Sequence, residues 1–207
     1  MAAKEQKVKL LRYFKTSSVP DVISVLFILA GAFIYYYAWQ IWVLATPLLL
    51  IGIAGLIISY SFKISDQTYT DYFTKQFEAM PKERGVEPEA IFTEYSFEGT
   101  VYARVDKTNA PRSEVCVRTA IYFGKQLKLV NAVCNVAEGT CDFRTLELAH
   151  ASAEVNNAEI KIGGATKKIA YMTITDGEQS CTFPVKYNDI EIDQFMERLN
   201  KRYQKSE

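Results

Sequence analysis

The most constraining feature of the sequence is an uncharged run of 41 residues, Val22–Phe62, which contains no Asp, Glu, Lys, Arg or His. As one α-helix this run would be about 60 Å long, because a helix rises about 1.5 Å per residue. The hydrocarbon core of a bilayer is about 30 Å thick and is crossed by about 20 helical residues. We therefore predict two transmembrane helices, at about 22–37 and 42–61, joined by a tight turn.

Aromatic side chains mark the predicted turn. Tyr and Trp favour the membrane interface, because their rings are apolar and also carry a hydrogen-bonding group. We predict that five of them lie at one interface: Tyr35, Tyr36, Tyr37, Trp39 and Trp42.

The charges that flank the apolar run are one-sided. Residues 1–21 form a basic segment with five basic side chains against two acidic ones, whereas the turn has no charge. The positive-inside rule then places both termini in the cytoplasm of a cell with an inner membrane. Four basic side chains of this segment are predicted at the membrane surface: Lys7, Lys9, Arg12 and Lys15. The rest of the chain is net acidic, which disfavours nucleic acid as a partner.

Neither predicted helix carries an ionisable side chain, which argues against a transporter, because such groups usually mark transport paths. Small residues in both helices, including Gly31 and Gly52, favour close helix packing. A homo-oligomer, formed through the helices or through an exposed strand edge, stays an open alternative.

Residues 63–89 are predicted to form an amphipathic connector helix followed by a polar hinge that begins near Pro81. Aromatic side chains recur on one face of this helix at Tyr69, Tyr72, Phe73 and Phe77. This face could bind a partner or the membrane, or it could pack on the domain that follows. We favour the packing interpretation.

Residues 90–207 change to the period-two pattern of β-strands. The predicted strands are Ile91–Val105, Glu114–Phe123, Gln126–Val136, Thr140–Leu148, Glu159–Ile162, Lys168–Thr175 and Ser180–Lys186. Turns are predicted at Gly163-Gly164 and at Asp176-Gly177, where glycine supplies a positive φ. An amphipathic helix follows over residues 188–204, with Asn188 or Asp189 as its N-cap.

Seven short antiparallel strands followed by one amphipathic helix resemble the pleckstrin-homology (PH)-like fold, most closely over Ile169–Tyr203. With the preceding hairpin, the chain resembles bacterial membrane-anchored PH-like proteins, which implies an α+β fold with a β-sandwich or barrel capped by the last helix. The best-known PH domains bind lipid headgroups through basic residues of the first hairpin loop. The matching positions here are Lys107, Arg112 and Arg118. Because Asp106 and Glu114 sit beside them, we favour solvated loop cations over a headgroup site.

The remaining reactive side chains match no catalytic pattern. The four cysteines, Cys116, Cys134, Cys141 and Cys181, are consistent with two disulfides or with free thiols, and the cytoplasmic placement favours free thiols. The one histidine, His150, has no zinc-ligand spacing to Cys134 and Cys141.

We therefore expect no cofactor, no metal and no enzyme. The predicted function is a membrane-anchored binding or scaffold protein, whose partners are the lipid bilayer and a membrane or cytoplasmic protein. A headgroup-sensing domain is the first alternative, and an enzyme with an unrecognised Cys/His site is the second.

Overall fold

A computed structural model describes residues 10–14, 19–37, 39–83 and 85–203, and only the backbone of residues 19, 39 and 62. The chain divides into two compact units, one holding Val8–Ser65 and the other holding the chain from Asp66 onward. Three of the predicted surface cations, Lys7, Lys9 and Lys15, lie outside the described residues.

The first unit is a hairpin of two long apolar helices. Helix α1 (Val19–Tyr37) is followed by a short 3-10 turn (Trp39–Ile41) and by helix α2 (Trp42–Phe62). Asp21, at the start of α1, accepts hydrogen bonds from Ser59 and Lys63 at the end of α2, so the helices run antiparallel. The chain therefore reverses within the aromatic stretch, as the length of the apolar run predicted. By length and composition, both helices could cross a membrane.

Small residues allow α1 and α2 to approach each other closely. A Cβ atom on Gly52 would lie 2.7 Å from the carbonyl oxygen of Ser24 and 2.6 Å from Cγ1 of Ile28. A Cβ atom on Gly31 would lie 2.8 Å from Cγ of Leu49. The predicted close packing is therefore found inside the hairpin, where these glycines leave no room for a larger side chain.

The second unit confirms the α+β class, with antiparallel strands between two helices. Helix α3 (Asp66–Phe77) comes first and helix α4 (Ile190–Tyr203) comes last. The strands are β1 (Ala90–Ser96), β2 (Ala103–Val105), β3 (Pro111–Ser113), β4 (Val115–Phe123), β5 (Leu127–Asn135), β6 (Thr140–Leu148), β7 (Ser152–Ile162), β8 (Ala165–Thr175) and β9 (Ser180–Val185). They form a sheet of order β1-β4-β5-β6, a β2-β3 hairpin and a sheet of order β7-β8-β9. Strands β1 and β9 lie next to each other without pairing, so the two larger sheets are not closed into a barrel.

Two predicted strands have different bounds in the structure. The predicted strand Ile91–Val105 is broken after Ser96, because the chain turns at Gly99, where φ is 65°. The predicted strand Glu159–Ile162 is the end of the much longer β7, which begins at Ser152. The first half of β7 is an edge strand with few large apolar residues, which is why its pattern is weak in the sequence.

The predicted turns and the helix cap are confirmed. Gly177 has a φ of 97°, and Asp176 accepts a hydrogen bond from the backbone N–H of Gln179 at 2.8 Å. Gly163 and Gly164 also have positive φ, at 56° and 85°. Asp189 accepts a hydrogen bond from the N–H of Glu191 at 3.1 Å and so caps α4.

The main core lies between the two larger sheets and α4. Its fully buried members come from all three of these elements and include Leu129, Met172, Phe183, Phe195 and Leu199. Burial of each such side chain stabilises the fold by about 1.5–3 kcal/mol.

The end of α4 is held by its last aromatic residue. The Tyr203 hydroxyl accepts a hydrogen bond from the Gly124 N–H at 2.9 Å and donates one to the Gly124 carbonyl at 3.0 Å. Because Gly124 lies in the β4–β5 connection, this pair of bonds fixes the end of α4 against the four-stranded sheet.

Helix α3 covers the opposite face of the four-stranded sheet. Tyr69, Phe73 and Phe77 are almost fully buried, and the Tyr69 hydroxyl donates a hydrogen bond to the Ser113 carbonyl at 2.9 Å. The Phe73 ring contacts the Tyr95 ring of β1 edge-on, with centroids 5.7 Å apart. The sheet is therefore covered on both faces, which explains why most residues of β4 are buried without alternation.

The preference for four free thiols is wrong for one pair of cysteines. Cys134 of β5 and Cys141 of β6 are joined in a disulfide, whereas Cys116 and Cys181 are free. The register pairs Cys134 directly with Cys141, at a Cα–Cα distance of 3.9 Å. The two cysteines are equally spaced from the β5–β6 turn, and this symmetry was the signal in the sequence.

Candidate functional site

The three residues predicted to contact a headgroup do not form one cluster. Arg112 is half-buried, and it donates from Nε and Nη2 to Oδ2 of Asp106 at 2.9 and 2.8 Å. Arg118 lies on the α3 side of the sheet, with its guanidinium 5.7 Å from the centre of the Phe77 ring. Lys107 is exposed in the loop after β2. The structure thus separates these cations and ties one of them to an internal carboxylate.

The loop between β2 and β3 is organised around Asp106. Its carboxylate is buried and accepts hydrogen bonds from the Thr108 N–H at 2.8 Å and from the Ala110 N–H at 2.9 Å. Burial alone would raise the pKa of Asp106, but these bonds, the Thr108 hydroxyl and Arg112 outweigh it and lower the pKa. The acidic residue beside the predicted basic site therefore organises the loop rather than merely reducing its charge.

Glu114 has a similar structural role. It is buried, and its carboxylate accepts hydrogen bonds from the backbone N–H groups of Val101 and Tyr102, the former at 2.8 Å. It therefore anchors the irregular segment between β1 and β2.

The predicted interface aromatics lie around the turn of the first unit. Tyr35, Tyr36, Tyr37 and Trp42 are 55–79% exposed in the absence of lipid. The side chain of Trp39 lies outside the described residues, and Arg12 is exposed.

The predicted partner face on α3 is largely internal. Tyr69, Phe73 and Phe77 pack on the four-stranded sheet, so they are not accessible to a partner. Tyr72 is half-buried, and burial raises the pKa of its hydroxyl. The interpretation that we favoured, packing on the following domain, is the one that the structure shows for three of the four aromatics.

A groove that the sequence did not predict runs between β1 and α4. It has a volume of about 630 Å³ and is lined continuously by residues 89–94 on one side. The buried side chains of Ile192 and Phe195 and the exposed Gln194 line the α4 side. Its size lies within the range of known ligand sites, about 300–1,000 Å³.

The wall of this groove is the outer edge of β1. The Val136 N–H donates to the Glu114 carbonyl at 2.9 Å, which makes 114 and 136 a hydrogen-bonded pair. Along β4, backbone groups point alternately to β5 and to β1, and Glu114 points to β5. Val117 therefore points to β1 and bonds to its register partner Glu94. By the same alternation, Phe92 also bonds to β4.

The backbone groups of the intervening residues, Ile91 and Thr93, must then point away from β4 and into the groove. Phe97 continues the same alternation, and its N–H points outward to the Tyr171 hydroxyl at 2.9 Å. Among the described residues, no strand pairs with the outer edge at Ile91 and Thr93.

The groove is lined by more acidic than basic side chains. Glu89, Glu94, Asp189 and Glu191 face only Lys186 and Arg198. Both cations are already paired: Arg198 contacts Glu89, and Lys186 lies 3.7 Å from Asp189. In the described part of the chain, Glu94 and Glu191 have no ion-pair partner within 4.0 Å.

Glu94 is a partly buried member of this group. Burial raises its pKa, and the nearby charges of Arg112 and Lys186 oppose this increase. The sequence carried one signal of this site. Glu94 is an acidic residue on the same face of β1 as Ala90 and Phe92, which pack against the core.

A second, basic cavity of about 320 Å³ adjoins the groove and shares Glu94 and Lys186 with it. It is also lined by Arg112 and Lys168, and Lys168 lies 5.6 Å above the ring of Tyr187. Arg112 is the one predicted headgroup residue that lines this cavity.

Within the described ranges, no group of three or more His, Cys, Asp or Glu side chains is placed to hold a metal ion. The chain matches no protein family, no curated protein and no solved structure.

Proposed function

We propose that this chain is a membrane-anchored, non-enzymatic binding protein. The helical hairpin is its anchor, and the second unit is a PH-like domain at the cytoplasmic face that binds a protein partner in the β1–α4 groove. The observation that carries this proposal is the unpaired backbone edge of β1 inside that groove.

Exposed apolar side chains support the anchor. Large aliphatic residues on the outward faces of both helices, such as Leu26, Leu29, Leu50, Ile51 and Ile57, are 55–61% exposed in the isolated hairpin. A contiguous apolar surface of this kind requires a cover, and lipid provides it. The basic flanks and the uncharged turn favour cytoplasmic termini.

The strand order supports the PH-like assignment. A four-stranded antiparallel sheet is followed by a three-stranded one and then by a helix that packs into the core between them. The β2–β3 hairpin is an addition between the first two strands of that order.

Anchoring gives the groove its functional context. A domain that is tethered to the membrane meets other membrane proteins at a high effective concentration, so a weak interaction in the groove is sufficient.

Proximity labelling in cells tests the proposed function. The full chain is fused to a biotin ligase, and neighbours are compared for wild type, Gln194→Trp and Glu197→Trp. Gln194 is exposed and lines the groove, whereas Glu197 is exposed on α4 but does not line it. We expect a reproducible set of neighbours that Gln194→Trp loses and Glu197→Trp keeps. Neighbours that are unchanged by Gln194→Trp would overturn the proposal.

Headgroup binding is a second candidate, and the basic cavity favours it. Arg112, Lys168 and Lys186 all line this cavity. Glycerol phosphate should then bind the full chain in neutral detergent, and the double substitution Lys168→Ala and Lys186→Ala should abolish this binding. Equal binding to both proteins would exclude the cavity as a headgroup site.

A further inference from the structure

We propose that the β1–α4 groove binds an extended peptide segment of the partner, added to β1 as a further strand, with a basic side chain at the position beside Glu94. This inference rests on the proposed function and names the chemistry of its partner.

The backbone argument concerns the outer edge of β1. Ile91 and Thr93 each direct one N–H and one C=O into the groove, as the alternation along the strand requires. The β1 residues from Ala90 to Glu94 extend over about 17 Å, at about 3.3 Å per residue. An extended segment of about five residues can therefore pair along this edge.

The charge argument concerns the carboxylates that are left without a partner. Lys186 and Arg198 are each paired with a carboxylate of the groove, Asp189 and Glu89, and the lining as a whole has more acidic than basic side chains. Glu94 and Glu191 remain to be neutralised. A Lys or Arg side chain in the bound strand would neutralise Glu94 within a partly buried site, where charge pairing is stronger than at an open surface.

The apolar argument fixes the spacing along the bound strand. Phe92 and Glu94 are two residues apart, so their side chains lie on the same face of β1. A strand paired beside them would place its own alternate side chains next to Phe92, Phe195 and Glu94. The bound segment should therefore carry a basic and an apolar residue two positions apart.

Synthetic peptides test this chemistry on the full chain in neutral detergent micelles. The probe is fluorescein-labelled GTKTVTG, and the matched control is GTETVTG. Fluorescence anisotropy should show at least fivefold tighter binding of the Lys peptide, and this preference should shrink as ionic strength rises. Equal affinity of the two peptides would overturn the charge argument.

Protein variants locate the bound peptide. Glu94→Gln should weaken binding of GTKTVTG by about fivefold, as expected for the loss of one moderate ion pair. Glu191→Gln should weaken it in the same direction. Glu159→Gln is the matched control, because Glu159 is an exposed residue of β7 and does not line the groove. A variant series in which Glu94→Gln and Glu159→Gln behave alike would place the peptide elsewhere.

Backbone methylation of the peptide tests strand addition without altering the protein. When the probe runs antiparallel to β1 with its Lys beside Glu94 and its Val beside Phe92, the two Thr residues that flank Val lie opposite Thr93 and Ile91. Their amides donate to β1, whereas the Lys and Val amides point away. N-methylation of those Thr residues should abolish binding, and N-methylation of Lys and Val should preserve it. Equal effects of the two patterns would exclude a paired strand.

The two proposals can fail separately. If Gln194→Trp removes cellular neighbours but neither peptide binds, the groove has a partner of different chemistry and this inference is overturned. If GTKTVTG binds with the expected pattern but the neighbours do not depend on Gln194, the inference stands and the proposed cellular function fails.

Discussion

Half-buried Arg112 and buried Asp106 form an ion pair across the β2–β3 hairpin, with two nitrogens of the guanidinium within 2.9 Å of one carboxylate oxygen. The pair fixes the conformation of the loop, since the same carboxylate also accepts backbone N–H groups of residues 108 and 110. Arg112, which the PH-like resemblance would assign to headgroup binding, therefore stabilises the loop conformation.

Asp106→Asn should lower the free energy of unfolding by about 2 kcal/mol, because it weakens charge-assisted hydrogen bonds to a buried group. The pKa of Asp106 is lowered in the folded state. The charged carboxylate therefore stabilises the fold above the unfolded pKa of about 3.9, and this stabilisation is lost as pH falls through the pKa of the folded state. Thermal unfolding of both proteins between pH 7 and pH 3 should show the difference shrinking below about pH 4. A constant difference over this range would contradict the role of the charge.

Phe73→Ala should lower the free energy of unfolding of the second unit by about 3–5 kcal/mol, because it empties a buried site between α3 and the sheet. Tyr72→Ala, at the half-buried neighbouring position, should cost much less and serves as the control. Urea denaturation of the full chain in micelles, followed by far-UV circular dichroism, measures both changes, because the β-strands all belong to the second unit. Similar small effects of the two substitutions would mean that α3 is not packed on the sheet.

The class of the fold and its elements could be predicted because they depend on local patterns. The length of the apolar run required two helices, and Asp176-Gly177 required a turn. The split at Gly99 was missed because residues 91–105 keep a strand-like composition across the break. The groove was missed because it depends on how β1 and α4 are placed relative to each other, which no local pattern encodes.

Glu94→Gln should stabilise the second unit at pH 7. The pKa of Glu94 is raised by burial, so the protonated form favours folding, and that contribution is lost as pH rises through the folded pKa. The glutamine side chain of the variant is uncharged at every pH, so burying it does not require the desolvation of a charge. Thermal unfolding should show the variant above wild type at pH 7 and equal to it near pH 4. A variant that is less stable at pH 7 would show that the charge stabilises the fold.

Gly52→Ile should disrupt the helical hairpin, because its side chain would collide with Ile28 and with the carbonyl oxygen of Ser24. Ala54→Ile is the matched control, since Ala54 lies on an exposed face of α2. After heating in detergent, the soluble fraction of Gly52→Ile should fall well below that of Ala54→Ile. Equal soluble fractions would argue against close packing at Gly52.

The state of Cys134 and Cys141 in cells should report the side of the membrane that the second unit faces. The structure joins the two residues in a disulfide, but a reducing cytoplasm would reduce this bond. If both termini are cytoplasmic, as we propose, acid quenching and alkylation should trap this pair as thiols. Air oxidation after extraction should then form the bond.

The other two cysteines are internal controls for this experiment. Burial raises the pKa of Cys116 and Cys181, so both should react slowly in the folded protein and fully after denaturation. A reporter fused after Glu207 that is active only inside the cell should be active if the proposal holds. A disulfide already present at quenching, together with an inactive reporter, would reverse the orientation of the hairpin and place the groove outside the cytoplasm.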